Sequence, residues 1–323
     1  MTSRAGLGKL RVMTKRPKLL LIVPAKWAGP WKSSLDTVEL LIEGQDAYRP
    51  EDIDYVLSFR PPPGFLKTLP RLKAAFSLGA GVDGFLCDPD YPKRVPLVRF
   101  VDRTLSAEMA QFVLMHILIR HRLQRFFDDA QRHKQWRQMM LPRKTEETRI
   151  GFLGMGEIGA FAAARVAELG FPVFSWSATR KSLPGVKSFA GDAELPAFLA
   201  QTDILVCLLS LTRNTAGILN AKTFAAMPEG GFVINVARGG HLVEKDLVAA
   251  LDSGHLSGAA LDVFEEEPPP PDSPLWNHPK VTVTPHVAAI SQPLVAARYV
   301  RDGIAAFERG EKPDNIVDVE RAY

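Results

Sequence analysis

From Arg149 onward the chain repeats one unit: a short apolar run, a turn, and a helical stretch. The runs lie at 150–153, 173–176, 204–209, 232–236, 259–263 and 281–284, and helical patterns at 158–169, 195–200 and 244–253 fall between several of them. Strands that are apolar on both faces and alternate with helices predict a parallel sheet covered on both sides, because each parallel crossover lays a helix across one face. The expected fold is therefore α/β, with a doubly wound, Rossmann-type domain over 108–288.

A chain of 323 residues is long for one such domain, and at roughly 150 residues per domain the length predicts two. Four further strand-like runs, at 19–23, 55–59, 74–78 and 97–101, surround a helical pattern at 34–43 and predict a smaller α/β unit over 18–107. Met109, Phe112, Val113, His116, Ile117 and Ile119 recur near helical spacing, so 106–127 reads as one long helix joining the two. A final helix at 293–309 is expected to return 289–323 to the smaller unit, which makes that unit discontinuous.

The net charge of +4 suggests a polyanion partner only until its distribution is read. Arg4, Lys9, Arg11, Lys15, Arg16 and Lys18 lie in the first 18 residues with no acid, which leaves 34 basic against 36 acidic side chains in the other 305. The body of the protein is near neutral, residues 1–17 are expected to form a disordered tail, and no nucleic-acid partner is indicated. No apolar run approaches the ~18 residues of a membrane span. Cys87 and Cys207 form no CxxC spacing, so neither a zinc site nor a disulfide framework is indicated, and a cytoplasmic location is expected.

Two segments match GxGxxG. Gly154-Met155-Gly156-Glu157-Ile158-Gly159 follows a strand and opens a strong helix former, the setting in which backbone N–H groups at a helix N-terminus receive a pyrophosphate. Gly79-Ala80-Gly81-Val82-Asp83-Gly84 also follows a strand, but Asp88-Pro89 and Tyr91-Pro92 leave no room for a long helix after it. On pattern alone it is either a backbone nest for a small anion or a plain turn.

The end of the next strand distinguishes the dinucleotides. An acid there would hold the 2′-hydroxyl of NAD, but after Glu168 none occurs until Asp192. Ser177, Arg180 and Lys181 stand there instead, a hydroxyl and two cations suited to a 2′-phosphate. NADP(H) is the expected cofactor, with NAD(H) the weaker alternative.

Three polar residues follow later strands: Arg238 in N-V-A-R-G, Glu267 in D-V-F-E-E-E-P, and His286 in T-P-H. An arginine can hold a carboxylate, a histidine can give or take a proton near neutral pH, and a carboxylate beside an imidazole favours its charged form. Singly each has an ordinary explanation, as a surface cation, a loop charge or a structural histidine.

Together and in this order, the segments resemble the D-2-hydroxyacid dehydrogenase family over about 18–323. Within it they are most similar to the bacterial A type of glyoxylate/hydroxypyruvate reductase, through L-G-A-G-V-D at 78–83, Trp176-Ser177 with Arg180-Lys181-Ser182, S-P-L-W at 273–276 and T-P-H-V-A-A at 284–289. The resemblance implies a flavodoxin-like smaller domain, a homodimer, and NADPH-dependent reduction of a small 2-keto acid. Arg238 would bind the carbonyl oxygen and carboxylate, His286 would protonate the carbonyl oxygen, and Glu267 would hold His286. The backbone of Ala80 and Gly81 would grip the carboxylate, and Asp262 would meet the nicotinamide amide. Leu209, Ser210, Thr215 and Ala237 would complete the cofactor wall. Ser210 stands where many members have Pro, and Gln111 where many have Glu. A dehydrogenase for another 2-hydroxy acid, or a nucleotide-sensing corepressor-like scaffold, would carry much the same residues.

Overall fold

The computed structural model describes residues 16–320, and its chain divides into two compact units. All but the last two residues of the basic segment 1–17 lie outside the described residues.

The smaller unit comprises 16–78, 88–98 and 292–316. Its strands β1 (Lys18–Ile22), β2 (Glu39–Ile42), β3 (Tyr55–Ser58), β4 (Ala74–Ser77) and β5 (Leu97–Val98) form a parallel sheet in the order β2-β1-β3-β4-β5, the flavodoxin-like order. Residues 34–43, read as helical from their spacing, instead contain β2, which pairs with β1 at Leu19↔Leu40 and Leu21↔Ile42. Leu40-Leu41-Ile42 is too short to fix a period, and pairing along the edge of β1 decides its conformation. The helix Pro293–Glu308 packs in this unit. Gly303 has no Cβ because one would come within 2.7 Å of the Phe76 ring, and the Tyr55 hydroxyl donates to Glu308 at 2.6 Å.

The larger unit comprises 79–87, 99–291 and the residues from Val317 on. Four stretches, 79–87, 99–107, 289–291 and 317–320, thus group elsewhere than the 18–107 and 289–323 boundaries place them. The glycine loop 79–87 and the end of the chain both group with the larger unit. Its strands are β6 (Ile150–Leu153), β7 (Val173–Ser177), β8 (Val186–Ala190), β9 (Ile204–Cys207), β10 (Gly231–Asn235), β11 (Leu256–Leu261) and β12 (Val281–Val283). They form one parallel sheet in the order β12-β11-β10-β9-β6-β7-β8. The order reverses between β6 and β9, the crevice where doubly wound sheets bind ligands.

Alternate residues of β9 divide between the two faces. Ile204 and Val206 join Ile150, Phe152, Val166 and Val113 in one core cluster, while Leu205 and Cys207 join Leu153, Phe198, Leu247 and Leu261 in the other. Each fully buried Leu, Ile or Phe contributes on the order of 2 kcal/mol. The edge strand β8 has no counterpart in the sequence reading; Val-Lys-Ser-Phe-Ala buries only Phe189 fully and carries little apolar signal.

The long helix starts earlier and ends sooner than its spacing suggests. It runs Arg103–His121, capped by Asp102, whose carboxylate accepts from the Leu105 N–H at 2.8 Å. Leu123 then adopts a left-handed conformation (φ 57°) and a second helix, Gln124–Arg132, follows. Apolar spacing continues across the break, so it leaves no trace in the pattern. No helix among the described residues is long and apolar enough to cross a membrane.

Candidate active site

The residues singled out from β6 onward follow the carboxyl ends of strands of one sheet: Gly154 after β6, Ser177 at the end of β7, Leu209 after β9, Ala237 and Arg238 after β10, Asp262 after β11 and His286 after β12. The three glycines of the first fingerprint have three different constraints. Gly154 has φ +100°, and a Cβ there would lie 2.7 Å from the Leu208 carbonyl oxygen. A Cβ on Gly159 would lie 2.3 Å from the Gly154 oxygen. Gly156 is different, since its Cβ would meet nothing within 4 Å. Packing does not require a glycine there; close approach of a ligand to the backbone would. Glu157 opens the helix Glu157–Glu168 with Ile158 behind it, and Met155 is buried beneath the loop. These residues fit a dinucleotide pyrophosphate.

The Leu208–Leu209 peptide abuts Gly154, and Thr215 organises the loop after it, its hydroxyl donating to the Ser210 carbonyl at 2.7 Å. At the end of β7 the Ser177 hydroxyl donates to the Thr179 carbonyl at 2.8 Å, and Lys181 is exposed. Arg180 donates to the Ser188 carbonyl and to Glu194, each at 2.5 Å. The sequence had placed no acid near this arginine. Pairing of β8 with β7 folds Glu194 back to it, and the Ala190 N–H holds the other oxygen of the same carboxylate at 2.8 Å. Arg180 is therefore charge-compensated and oriented by the edge strand.

His286 and Glu267 meet directly, with Nδ1 2.8 Å from Oε2. The carboxylate can only accept, so Nδ1 carries the proton and Nε2 is the nitrogen left for chemistry. The Phe264 N–H donates to the other Glu267 oxygen at 3.1 Å. Burial pushes the Glu267 carboxyl up, but the hydrogen bonds from His286 and Phe264, with the charges of His286 and Arg238, outweigh it and hold the pKa below the ordinary glutamate value. Arg238 lies with the glycine loop: its Nε donates to Asp83 Oδ1 at 2.8 Å, and a Cβ on Gly81 would fall 1.6 Å from its Nη2. The guanidinium occupies the space that a side chain at Gly81 would take, so any larger residue there would displace it. Ala80 is the residue next to it. The helix after this loop is only four residues, Asp83–Leu86.

Asp262, expected to meet the nicotinamide amide, is 1 % exposed, and its carboxylate is already engaged within the protein. It accepts from the Thr284 hydroxyl at 2.6 Å, the Val287 N–H at 2.9 Å and the Ala288 N–H at 2.8 Å, while its carbonyl accepts from the His286 N–H at 2.9 Å. His286 has φ 55°, which costs a non-glycine residue on the order of 1 kcal/mol, and these bonds hold it there. In this geometry Asp262 fixes the histidine loop. The sequence reading also passed over Asn235 and His241, both fully buried. Their Nδ2 and Nδ1 lie 3.1 and 3.2 Å from the Arg238 carbonyl and fix the arginine's main chain. An Asn inside an apolar strand is the signal that could have found the first of them.

A model of the D-isomer specific 2-hydroxyacid dehydrogenase family, NAD binding domain, matches residues 114–288. The glyoxylate/hydroxypyruvate reductase A of Yersinia enterocolitica is 41% identical over 303 residues, covering 92% of this chain and 96% of its own. The chain belongs to the D-isomer specific 2-hydroxyacid dehydrogenase family. Another relative, the glyoxylate/hydroxypyruvate reductase A of Klebsiella pneumoniae, is 44% identical over 84% of this chain and 88% of its own. Among solved structures, a D-isomer specific 2-hydroxyacid dehydrogenase of Xanthobacter autotrophicus in complex with NADPH and MES superposes with a TM-score of 0.90. It is 41% identical and covers 95% of this chain and 100% of that one. The NADPH-dependent glyoxylate/hydroxypyruvate reductase of Sinorhizobium meliloti, in complex with NADP and sulfate, gives 0.89 at 38% identity, covering 96% and 100%.

Proposed function

We propose that this 2-hydroxyacid dehydrogenase reduces a small 2-keto acid of the glyoxylate/hydroxypyruvate type to the D-2-hydroxy acid, with NADPH as the preferred reductant. The observation that carries the reading is the His286–Glu267 contact of 2.8 Å in the same sheet-end array as Arg238 and the open Gly156. The names and bound cofactors of the relatives support the substrate class and the choice of NADPH, as do Ser177, Arg180 and Lys181 at the end of β7.

Bound NADPH would supply a hydride to the carbonyl carbon. The Gly154–Gly159 loop would hold its pyrophosphate, and Arg180 with Lys181 its 2′-phosphate. Arg238 and the Ala80–Gly81 backbone would bind the substrate carboxylate and orient the carbonyl. His286 would give the proton on Nε2 to the carbonyl oxygen, and Glu267 would retain the proton on Nδ1, which keeps the ring in one orientation through the cycle. Nucleotide binding is assigned to the seven-stranded unit, with the five-stranded one as the substrate domain.

A homodimer is part of the proposal. Trp136 is 94% and Met140 90% exposed, next to half-exposed Met139, which supports burial of this segment of the nucleotide unit against a second copy. The free thiols Cys87 and Cys207 are compatible with a cytoplasmic location. The test is oxidation of NADPH and NADH with glyoxylate, hydroxypyruvate, pyruvate and phenylpyruvate, alongside the molar mass in solution. Turnover favouring NADPH with glyoxylate and hydroxypyruvate is expected; nucleotide binding without turnover on any of the four would sink the reading.

A further inference from the structure

The guanidinium of Arg238 is fixed on three sides. Its Nε donates to Asp83 Oδ1 at 2.8 Å, across 155 residues of sequence, and its Nη1 donates to the Ala237 carbonyl at 2.6 Å. Its Nη2 lies against Gly81, where a Cβ would come within 1.6 Å of that nitrogen and 2.9 Å of Asp83 Oδ1. A guanidinium presents five N–H donors in one rigid plane. With Nε committed to Asp83 and Nη1 to Ala237, the plane cannot rotate, and the Nη2 edge is held beside the Ala80–Gly81 backbone.

Asp83 is itself well anchored. It is the first residue of the helix Asp83–Leu86, its carbonyl accepts from the Cys87 N–H at 2.9 Å, and the ion pair is largely shielded from solvent on both sides. The loop that presents Ala80 and Gly81 therefore also carries the group that aims Arg238. An unanchored arginine would surrender the freedom of a long, flexible side chain each time it bound an anion; one already held loses little. A carboxylate placed on Nε also leaves the guanidinium's outer edge as the place where a second carboxylate can bind in plane.

We infer that Asp83 is a positioning residue for the 2-keto acid. It acts through Arg238, orienting Nη2 so that the arginine and the Ala80–Gly81 backbone address one substrate carboxylate, and it touches no reacting atom. The inference rests on the reductase reading proposed above.

The test is a double-mutant cycle in the full-length enzyme, with Asp83→Ala, Arg238→Gln, both together, and Asp83→Asn as the conservative variant. Glyoxylate kinetics are read at saturating NADPH, and the KM for NADPH is read separately. Asp83→Ala is expected to raise the KM for glyoxylate at least tenfold while leaving that for NADPH within twofold. Asp83→Asn keeps an oxygen for the Nε–H and is expected to recover more than half of the loss on a logarithmic scale. In the Arg238→Gln background, Asp83→Ala should change kcat/KM less than twofold.

Independent, multiplicative effects of the two substitutions would overturn the inference, and so would a parallel rise in the KM for NADPH, the signature of a loop that has come apart. Should Asp83→Ala fail to fold, Asp83→Glu, which displaces the carboxylate by one methylene, carries the same cycle with an expected rise of at least threefold. A wild-type enzyme inert toward every 2-keto acid would remove the reductase reading itself. A working reductase indifferent to Asp83 would remove this inference alone.

Discussion

His286 Nδ1 and Glu267 Oε2 lie 2.8 Å apart although their loops follow different strands, and Asp262, in the first of those segments, ties the main chain of the second. One short contact thus sets which histidine nitrogen is available, while the backbone bonds set where it points.

Replacing the proton donor should be the most damaging single change. His286→Ala is expected to lower kcat by about 10²–10⁴, equivalent to roughly 3–5 kcal/mol of barrier, with the melting temperature little changed because the side chain is exposed. Wild-type kcat in this variant, measured with glyoxylate and NADPH, would remove His286 from the mechanism.

Gly156 and Gly159 should respond oppositely to the same methyl group. Gly156→Ala meets no atom within 4 Å and has no strained φ, so it should fold with unchanged stability yet lose tenfold or more in nucleotide affinity. Gly159→Ala would press on the Gly154 carbonyl at 2.3 Å and should lower the melting temperature. Nucleotide titration and thermal unfolding of both variants check the contrast; an unaltered affinity in Gly156→Ala is the adverse result.

Arg180 is held by Ser188 and Glu194 at the end of β7, where a 2′-phosphate would lie. Arg180→Ala is expected to raise the KM for NADPH about tenfold or more and that for NADH less than twofold. Equal changes for the two nucleotides would exclude a role in reading the phosphate.

Asp203 closes the amino ends of β6 and β9. It accepts from the Arg149 N–H at 2.9 Å, from the Arg149 side chain at 2.8 and 2.9 Å, and from Arg143 at 2.6 Å. Burial pushes its carboxyl up, but the bonds from Arg149 and Arg143 outweigh this and hold it below the ordinary aspartate value. A depressed folded pKa contributes stability that is present above the unfolded value of about 3.9 and is lost as pH falls through the folded one. Asp203→Asn should therefore cost about 2 kcal/mol near pH 7, the cost of breaking a buried ion pair reduced for the partial exposure of both arginines. Denaturant unfolding should show a gap between the two proteins that is constant from pH 7 to 5 and closes below 4. A gap unchanged at pH 3 would contradict this.

The strand ends and the first glycine loop were readable because they depend on neighbours in sequence. Ile150–Leu153 is followed at once by its turn and helix, Arg238 and His286 follow closely on apolar runs, and Glu267 ends the acidic stretch after a third. β2 and β8 were not readable, since four or five residues of mixed polarity become strands only by pairing with β1 and β7. The break at Leu123 escaped for a related reason: side-chain spacing does not report a single left-handed residue.

By itself the sequence determined the two α/β units, six of the seven strands of the larger parallel sheet, and which polar side chains stand at its carboxyl edge, because hydrophobic period and glycine placement are local properties of the chain. Tertiary structure alone decided which groups those side chains meet. Asp83 reaches Arg238 across 155 residues, Glu194 returns to Arg180 on an edge strand, and Asp262 turns inward to hold the histidine loop. Such partners are set by how strands order in a sheet, and hydrogen bonds between distant segments leave no period in the residues that make them.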